Sequence, residues 1–78
     1  MSAAGPTATP GHRALTSDQR AMIEKIRAAR RAFIAVLHEA GGTEAGHRLA
    51  SANLTLSLRH IEDAEYRAVR HVTLGPSE

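Results

Sequence analysis

The stretch MIEKIRAARRAFIAVLHEAGGT, residues 22–43, decides the fold. Met22, Ile26, Ala29, Phe33, Val36 and Ala40 follow one another at alternating steps of four and three. This is the spacing of a heptad seam along one side of an α-helix. Ile23, Ile34 and Leu37 flank the seam and widen the apolar stripe, so the helix is expected to pack against more than one neighbour. Phe33 is expected in the core. Arg20, Glu24, Arg27 and Arg31 fall on another face at steps of four and three. Gly41-Gly42 ends the run, because glycine tolerates the left-handed conformation that closes a helix.

Towards the N-terminus, Thr16 and Gln19 have the capping-box spacing, and Asp18 suits the positive end of the helix dipole. A helix over 17–40 is predicted. Residues 11–15 (GHRAL) form a short N-terminal arm, and residues 1–10 (MSAAGPTATP) read as a disordered tail. On the other side, Thr43 is a good N-cap with Glu44 in the first turn, which predicts a second helix over 44–73. Leu54, Leu58, Ile61, Ala68 and Val72 form its apolar stripe, with Leu49 before it and Ala64 beside it. Gly46 and Thr55 are weak helix formers, so its first turns are expected to fray. Gly75-Pro76 ends the element and leaves 75–78 as a tail. The helical domain is thus 11–74, an all-α antiparallel two-helix hairpin. The second helix is expected to overhang the first by roughly one or two turns, at about 1.5 Å per residue, with the arm against the overhang.

A chain of 78 residues has room for one small core. It contains no cysteine, so neither a disulfide nor a thiolate metal site can reinforce that core. Two helices offer each other one seam, and the remaining apolar surface calls for another hairpin. A homo-oligomer is therefore expected. The chain carries 10 basic and 8 acidic residues, with Lys25 the only lysine. The positive excess lies in residues 1–40. Arginine suits bidentate binding to phosphate or carboxylate, although a solvated helix face accounts for the same composition. No stretch approaches the roughly 18 apolar residues of a membrane span, and residues 1–10 lack the pattern of a signal peptide. A cytoplasmic protein is expected.

Catalytic chemistry has little to work with. No pair among His12, His38, His47, His60 and His71 has the spacing of three or four that a metal needs on a helix. His38 and His47 flank the turn and read as solvated. Ser51 and Ser57 are expected inside a helix, where a hydroxyl bonds its own backbone. Glu62, Asp63 and Glu65 form an acidic cluster that reads as a solvated face or as salt bridges to Arg59 and Arg67. No enzymatic activity and no cofactor are expected. Tyr66 is expected near the start of the first helix, close to the arm, where it stacks on a base or caps the hairpin end. Arg27, Arg30 and Arg31 cluster on the first helix, and Arg59, Arg67 and Arg70 punctuate the second. In an oligomer, symmetry multiplies them into a positive cleft suited to a small polyanion. Specific DNA or RNA binding is not expected, because charge is too sparse for a basic-region helix and aromatics too few for a stacking platform.

The stretch GHRALTSDQRAMIEKIRA resembles the opening of the phage hairpin domain shared by anti-CBASS protein two and Thoeris anti-defence protein one. Members there often read Gly-Tyr-Arg-x-Leu-Ser/Thr before an acidic and apolar helix start. The segment IEDAEYRAVRHVT is similar to that family's Leu-Glu-Glu-Ala-x-Met-x-Ala-Val-Lys-x-Ile-Thr. The resemblance spans residues 11–73. It implies a hairpin that assembles into a hexamer. It also implies a non-catalytic sponge for cyclic di- or trinucleotide messengers, or cyclic ADP-ribose isomers, in the host bacterial cytoplasm. The family's stacking Tyr falls at His12, with Arg13 beside it in the arm, and its phosphate-binding Lys falls at Arg27. A Thr of a second, trinucleotide pocket falls at Ala29, which lacks the hydroxyl. An Arg of that pocket corresponds to Arg59 or Arg70, and Tyr66 stands where members often carry Met.

Three functions therefore compete: a cyclic-nucleotide sponge, a helical-hairpin adaptor or scaffold for another protein, and weak nucleic-acid binding through the Arg face. The sponge reading makes the arm decisive. Stacking is worth roughly 1–3 kcal/mol per base, so His12→Ala is expected to weaken cyclic-nucleotide binding by about tenfold or more, measured by calorimetry.

Overall fold

The computed structural model describes residues 14–74. The tails at 1–10 and 75–78, and most of the arm at 11–15 with His12 and Arg13, lie outside the described residues. Two helices pack against each other: α1, Ser17–Gly41, and α2, Ala52–Leu74. The described part of the chain is all-helical, as the periodicity predicts.

α1 begins where the sequence places it. The Thr16 hydroxyl accepts from the Gln19 N–H at 3.0 Å, and the Gln19 side chain accepts from the Thr16 N–H at 2.8 Å. Two amides that the helix leaves unpaired are thereby satisfied. The same Gln19 side chain donates through Nε2 to the Val72 carbonyl at 3.0 Å, which ties the start of α1 to the last turn of α2.

The end of α1 departs from expectation. Gly42 takes the left-handed conformation at φ 71°. Its N–H donates to the Glu39 carbonyl at 3.3 Å, and the Thr43 N–H donates to the His38 carbonyl at 3.0 Å. This double closure is a Schellman motif. It uses Thr43 to finish α1, so Thr43 does not start α2. The Thr43 hydroxyl also meets Nδ1 of His38 at 2.8 Å, and His38 is buried where a solvated side chain was expected. Gly46 at φ 86° then turns the chain out of helical geometry.

α2 consequently starts at Ala52, eight residues after the expected 44. Its cap is Ser51: the hydroxyl accepts from the Leu54 N–H at 3.2 Å, and the carbonyl accepts from the Thr55 N–H at 3.0 Å. Ser51 therefore stands at the helix entrance rather than inside it. With 25 residues in α1 and 23 in α2, the expected overhang of the second helix is absent.

Three contacts fix an antiparallel register: Gln19 with Val72, Arg30 with Glu65, and Gly41 with Leu54. This register places Ile23, Arg27, Arg30, Ile34, Leu37 and Gly41 on the face of α1 turned to α2. Leu54, Leu58, Ile61, Glu65, Ala68 and Val72 answer them from α2. The stripe predicted for α2 is thus the packed one. The seam predicted for α1 is not. Ile23 and Leu37, expected as flanks, are the buried hydrophobic residues at 6% and 7% exposure. Met22, Phe33 and Val36 remain 46%, 44% and 53% exposed. Phe33 is therefore not core within the single hairpin. The stripe of α2 contains Glu65, and this face of α1 sets both Arg27 and Arg30 against it.

Gly41 holds the helices close at the turn. A Cβ there would lie 2.7 Å from Ala50 Cβ and 3.0 Å from Leu54 Cδ1. Replacing a helical glycine by alanine ordinarily stabilises by about 1 kcal/mol. Gly41→Ala is expected to reverse that sign, because the new methyl group forces Ala50 away. Urea denaturation checks it. Ser51→Ala should cost about 1 kcal/mol by the same measurement, through loss of the cap.

Candidate anion-binding site

The packed face of α1 carries two arginines at positions otherwise occupied by Ile and Leu. Nε of Arg27 donates to Oε2 of Glu65 at 3.3 Å. Nε of Arg30, shielded from solvent, lies in ion-pair contact with Oε1 of the same carboxylate but off the line of a hydrogen bond. The two guanidiniums thus converge on one acceptor. Two positive charges and one negative leave the cluster with a net positive charge.

The cluster borders an apolar groove between the helices. One part, about 210 Å³, is lined by Ile26, Ala29, Arg30, Ile61, Ala64 and Glu65. The next, about 260 Å³, is lined by Phe33, Ser57, His60, Ile61 and Ala64. The shared residues Ile61 and Ala64 make the two parts continuous. Small side chains at Ala29 and Ala64 give the groove its depth. It therefore offers a charged edge along an apolar floor, a combination that suits a ligand with an anionic and a planar or apolar portion.

The remaining residues read as site candidates are dispersed. Arg31 donates through Nη2 to Glu24 Oε2 at 2.7 Å on the exposed side of α1. That hydrogen bond, then the charge of Arg31, hold the Glu24 carboxyl below its usual value of 4.5. The folded state therefore favours the ionised form, and what the pair contributes is in place above that value and lost as pH falls below it. Full exposure keeps the contribution small. Arg59 is exposed and makes no ion pair among the described residues. Arg67 pairs with Asp63 at 3.0 Å, as the sequence suggests. Nη1 of Arg70 donates to the Tyr66 hydroxyl at 3.2 Å, and its guanidinium lies over the Tyr66 ring, 5.6 Å from the centroid. Because the adjacent Glu65 meets Arg27 and Arg30, Tyr66 stands level with the middle of α1 and not with its start. His12 and Arg13 lie outside the described residues. Among the described residues no group of three His, Asp or Glu side chains could hold a metal ion. Among the described residues no helix is long and apolar enough to cross a membrane.

Sequence reasoning missed Glu65 as the centre of this cluster and assigned it to a solvated acidic patch. Its position was informative: it continues the steps of Leu54, Leu58 and Ile61 and precedes Ala68. A carboxylate at such a position needs a cationic partner across the interface. Arg30, spaced between Ile23 and Leu37, is that partner.

Comparison with protein-family models, curated proteins and solved structures finds no match to this chain.

Glu65→Gln should destabilise the hairpin by about 1 kcal/mol, a modest figure because Arg27 is half exposed. Glu24→Gln, which removes an exposed pair, should cost less. Urea titration of the two variants at low and high salt checks the contrast, with the Glu24 effect the more readily screened.

Proposed function

We propose that this chain is a non-catalytic binding protein that sequesters cyclic oligonucleotide immune messengers and so antagonises bacterial anti-phage signalling. The observation that supports it most is the convergence of Arg27 and Arg30 at the edge of an apolar groove. A phosphodiester presents the same oxygen geometry to guanidinium forks as a carboxylate does. A nucleobase supplies the flat apolar surface that the groove floor would accept. The resemblance of the two ends of the hairpin to the phage sponge family supports the same ligand class and extends it to a homo-oligomer of six chains. In this reading Arg27 and Arg30 bind phosphate through terminal nitrogens while their Nε edges stay with Glu65. His12 from the arm stacks on a base. Arg13, Arg31, Arg59, Tyr66 and Arg70 contribute where symmetry brings chains together, and the protein acts in the host cytoplasm.

A second reading, an adaptor whose hairpin recruits another protein, is favoured by the uncovered apolar seam of α1. The two readings separate in one assay. Purified protein is mixed with a panel of cyclic di- and trinucleotides and cyclic ADP-ribose isomers, and thermal unfolding is followed. A ligand at 100 times its Kd should stabilise by about 2.7 kcal/mol. No shift with any member of the panel contradicts the sponge and favours the adaptor.

Arg27→Ala should then lower affinity by about tenfold to a hundredfold, the worth of a charge-assisted phosphate contact. Arg27→Lys should recover part of the loss, since charge returns without the fork. Calorimetry checks both. Unaltered binding by Arg27→Ala would remove that residue from the site.

A further inference from the structure

α1 carries a second heptad seam that α2 covers only in part: Ile26 is partly buried beside Ile61, while Met22, Phe33 and Val36 stay exposed. It runs through Met22, Ile26, Ala29, Phe33, Val36 and Ala40, with its largest side chains about half exposed. The flanking positions on its outer side are Lys25, Ala32 and Glu39, all exposed. Lys25 and Glu39 make no ion pair among the described residues.

We infer that this seam is a two-fold interface in which α1 of a second copy of the chain packs antiparallel against α1. The pattern of sizes and charges carries the assignment. Pairing the whole seam antiparallel sets Phe33 against Ala29 of the second copy, Met22 against Ala40, and Ile26 against Val36. Every layer thus joins a large side chain to a small one or two of middling size, so volume is conserved along the interface. Ala32 meets its own copy at the two-fold axis, where a small residue lets the helices approach. On the outer flank Lys25 faces Glu39 of the second copy, and symmetry repeats the pair at the other end. The parallel alternative stacks Phe33 on Phe33 and Ala29 on Ala29, and it leaves Lys25 and Glu39 at the same flanking position of both chains, where they do not meet.

The chain's own unassigned segments do not suit this seam. Among residues 1–13 Met1 is the only large apolar side chain, and residues 75–78 have none. Within the single hairpin only Ile23 and Leu37 of the apolar side chains are buried among the described residues, while Met22, Phe33 and Val36 stay exposed. A second copy supplies the missing burial from the same sequence. Ile26, Ala29 and Phe33 of the seam also line the groove between the helices, so a second copy seated here forms the outer wall of that groove.

Charge exchange tests it. Sedimentation equilibrium of the full chain at micromolar concentration is expected to show at least a dimer; a folded monomer there overturns the proposal. Lys25→Glu and Glu39→Lys should each weaken association by about tenfold, because two attractive flanking pairs become repulsive. The double variant Lys25→Glu with Glu39→Lys should restore the original affinity, since the charges only trade places. A double variant as weak as the singles, or singles as strong as the original, overturns the antiparallel pairing. Assembly only in the presence of an added apolar helical peptide from another protein overturns the second copy as occupant. Phe33→Asp should abolish assembly. If it also unfolds, the surface charge variants still decide the question.

Discussion

α1 has two apolar stripes that lie one residue apart, and a single partner helix can cover only one of them. Everything else in the hairpin follows from which stripe α2 takes. It takes the one through Ile23, Ile34 and Leu37, which is poorer in apolar side chains but contains Arg27 and Arg30. Glu65 on the packed stripe of α2 meets both cations there. A polar layer inside an otherwise apolar helix interface sets register in this way at some cost in stability. The same layer produces the one charged cluster at the groove edge, so the feature that aligns the helices also positions the candidate site.

The architecture was legible in the sequence at the level of period and punctuation. Thr16 and Gln19 announce the start of α1, Gly41-Gly42 its end, and the apolar steps from Leu54 to Val72 the packed face of α2. The start of α2 was not legible from Thr43 alone. A threonine after a Gly-Gly stop can cap the next helix or complete the closure of the last one, and local spacing does not distinguish the two. The left-handed Gly46 and the hydroxyl of Ser51 decide it, and both act only once the turn is folded. The inward face of α1 was also ambiguous, since hydrophobicity favours the Phe33 seam. The packed face instead carries Ile23 and Leu37 together with the arginines that meet Glu65.

The candidate site was legible in part. The clustering of Arg27 and Arg30 is a sequence-level observation, but their common acceptor lies on the other helix. Arg31 shows the limit of reasoning by proximity in sequence: one position after Arg30, it points to the solvent side and meets Glu24. Tyr66, expected beside the arm, instead pairs with Arg70 one helical turn away on the same helix. Of the arginines, Arg30 borders the apolar groove between the two helices, beside Glu65.

The central claim is that the uncovered stripe of α1 is an interface between copies, running antiparallel about Ala32. The chain has no native cysteine, so one nitroxide label can be placed cleanly at Ala32→Cys. Pulsed electron paramagnetic resonance then reads the distance between labels on two chains. An antiparallel pairing predicts one short, narrow distance set by helices packed roughly 10 Å apart, lengthened only by the label arms. It also predicts a much longer distance for a label at Ala21, near one end of the helix. Equal distances at both sites, or no interchain distance at either, would contradict it.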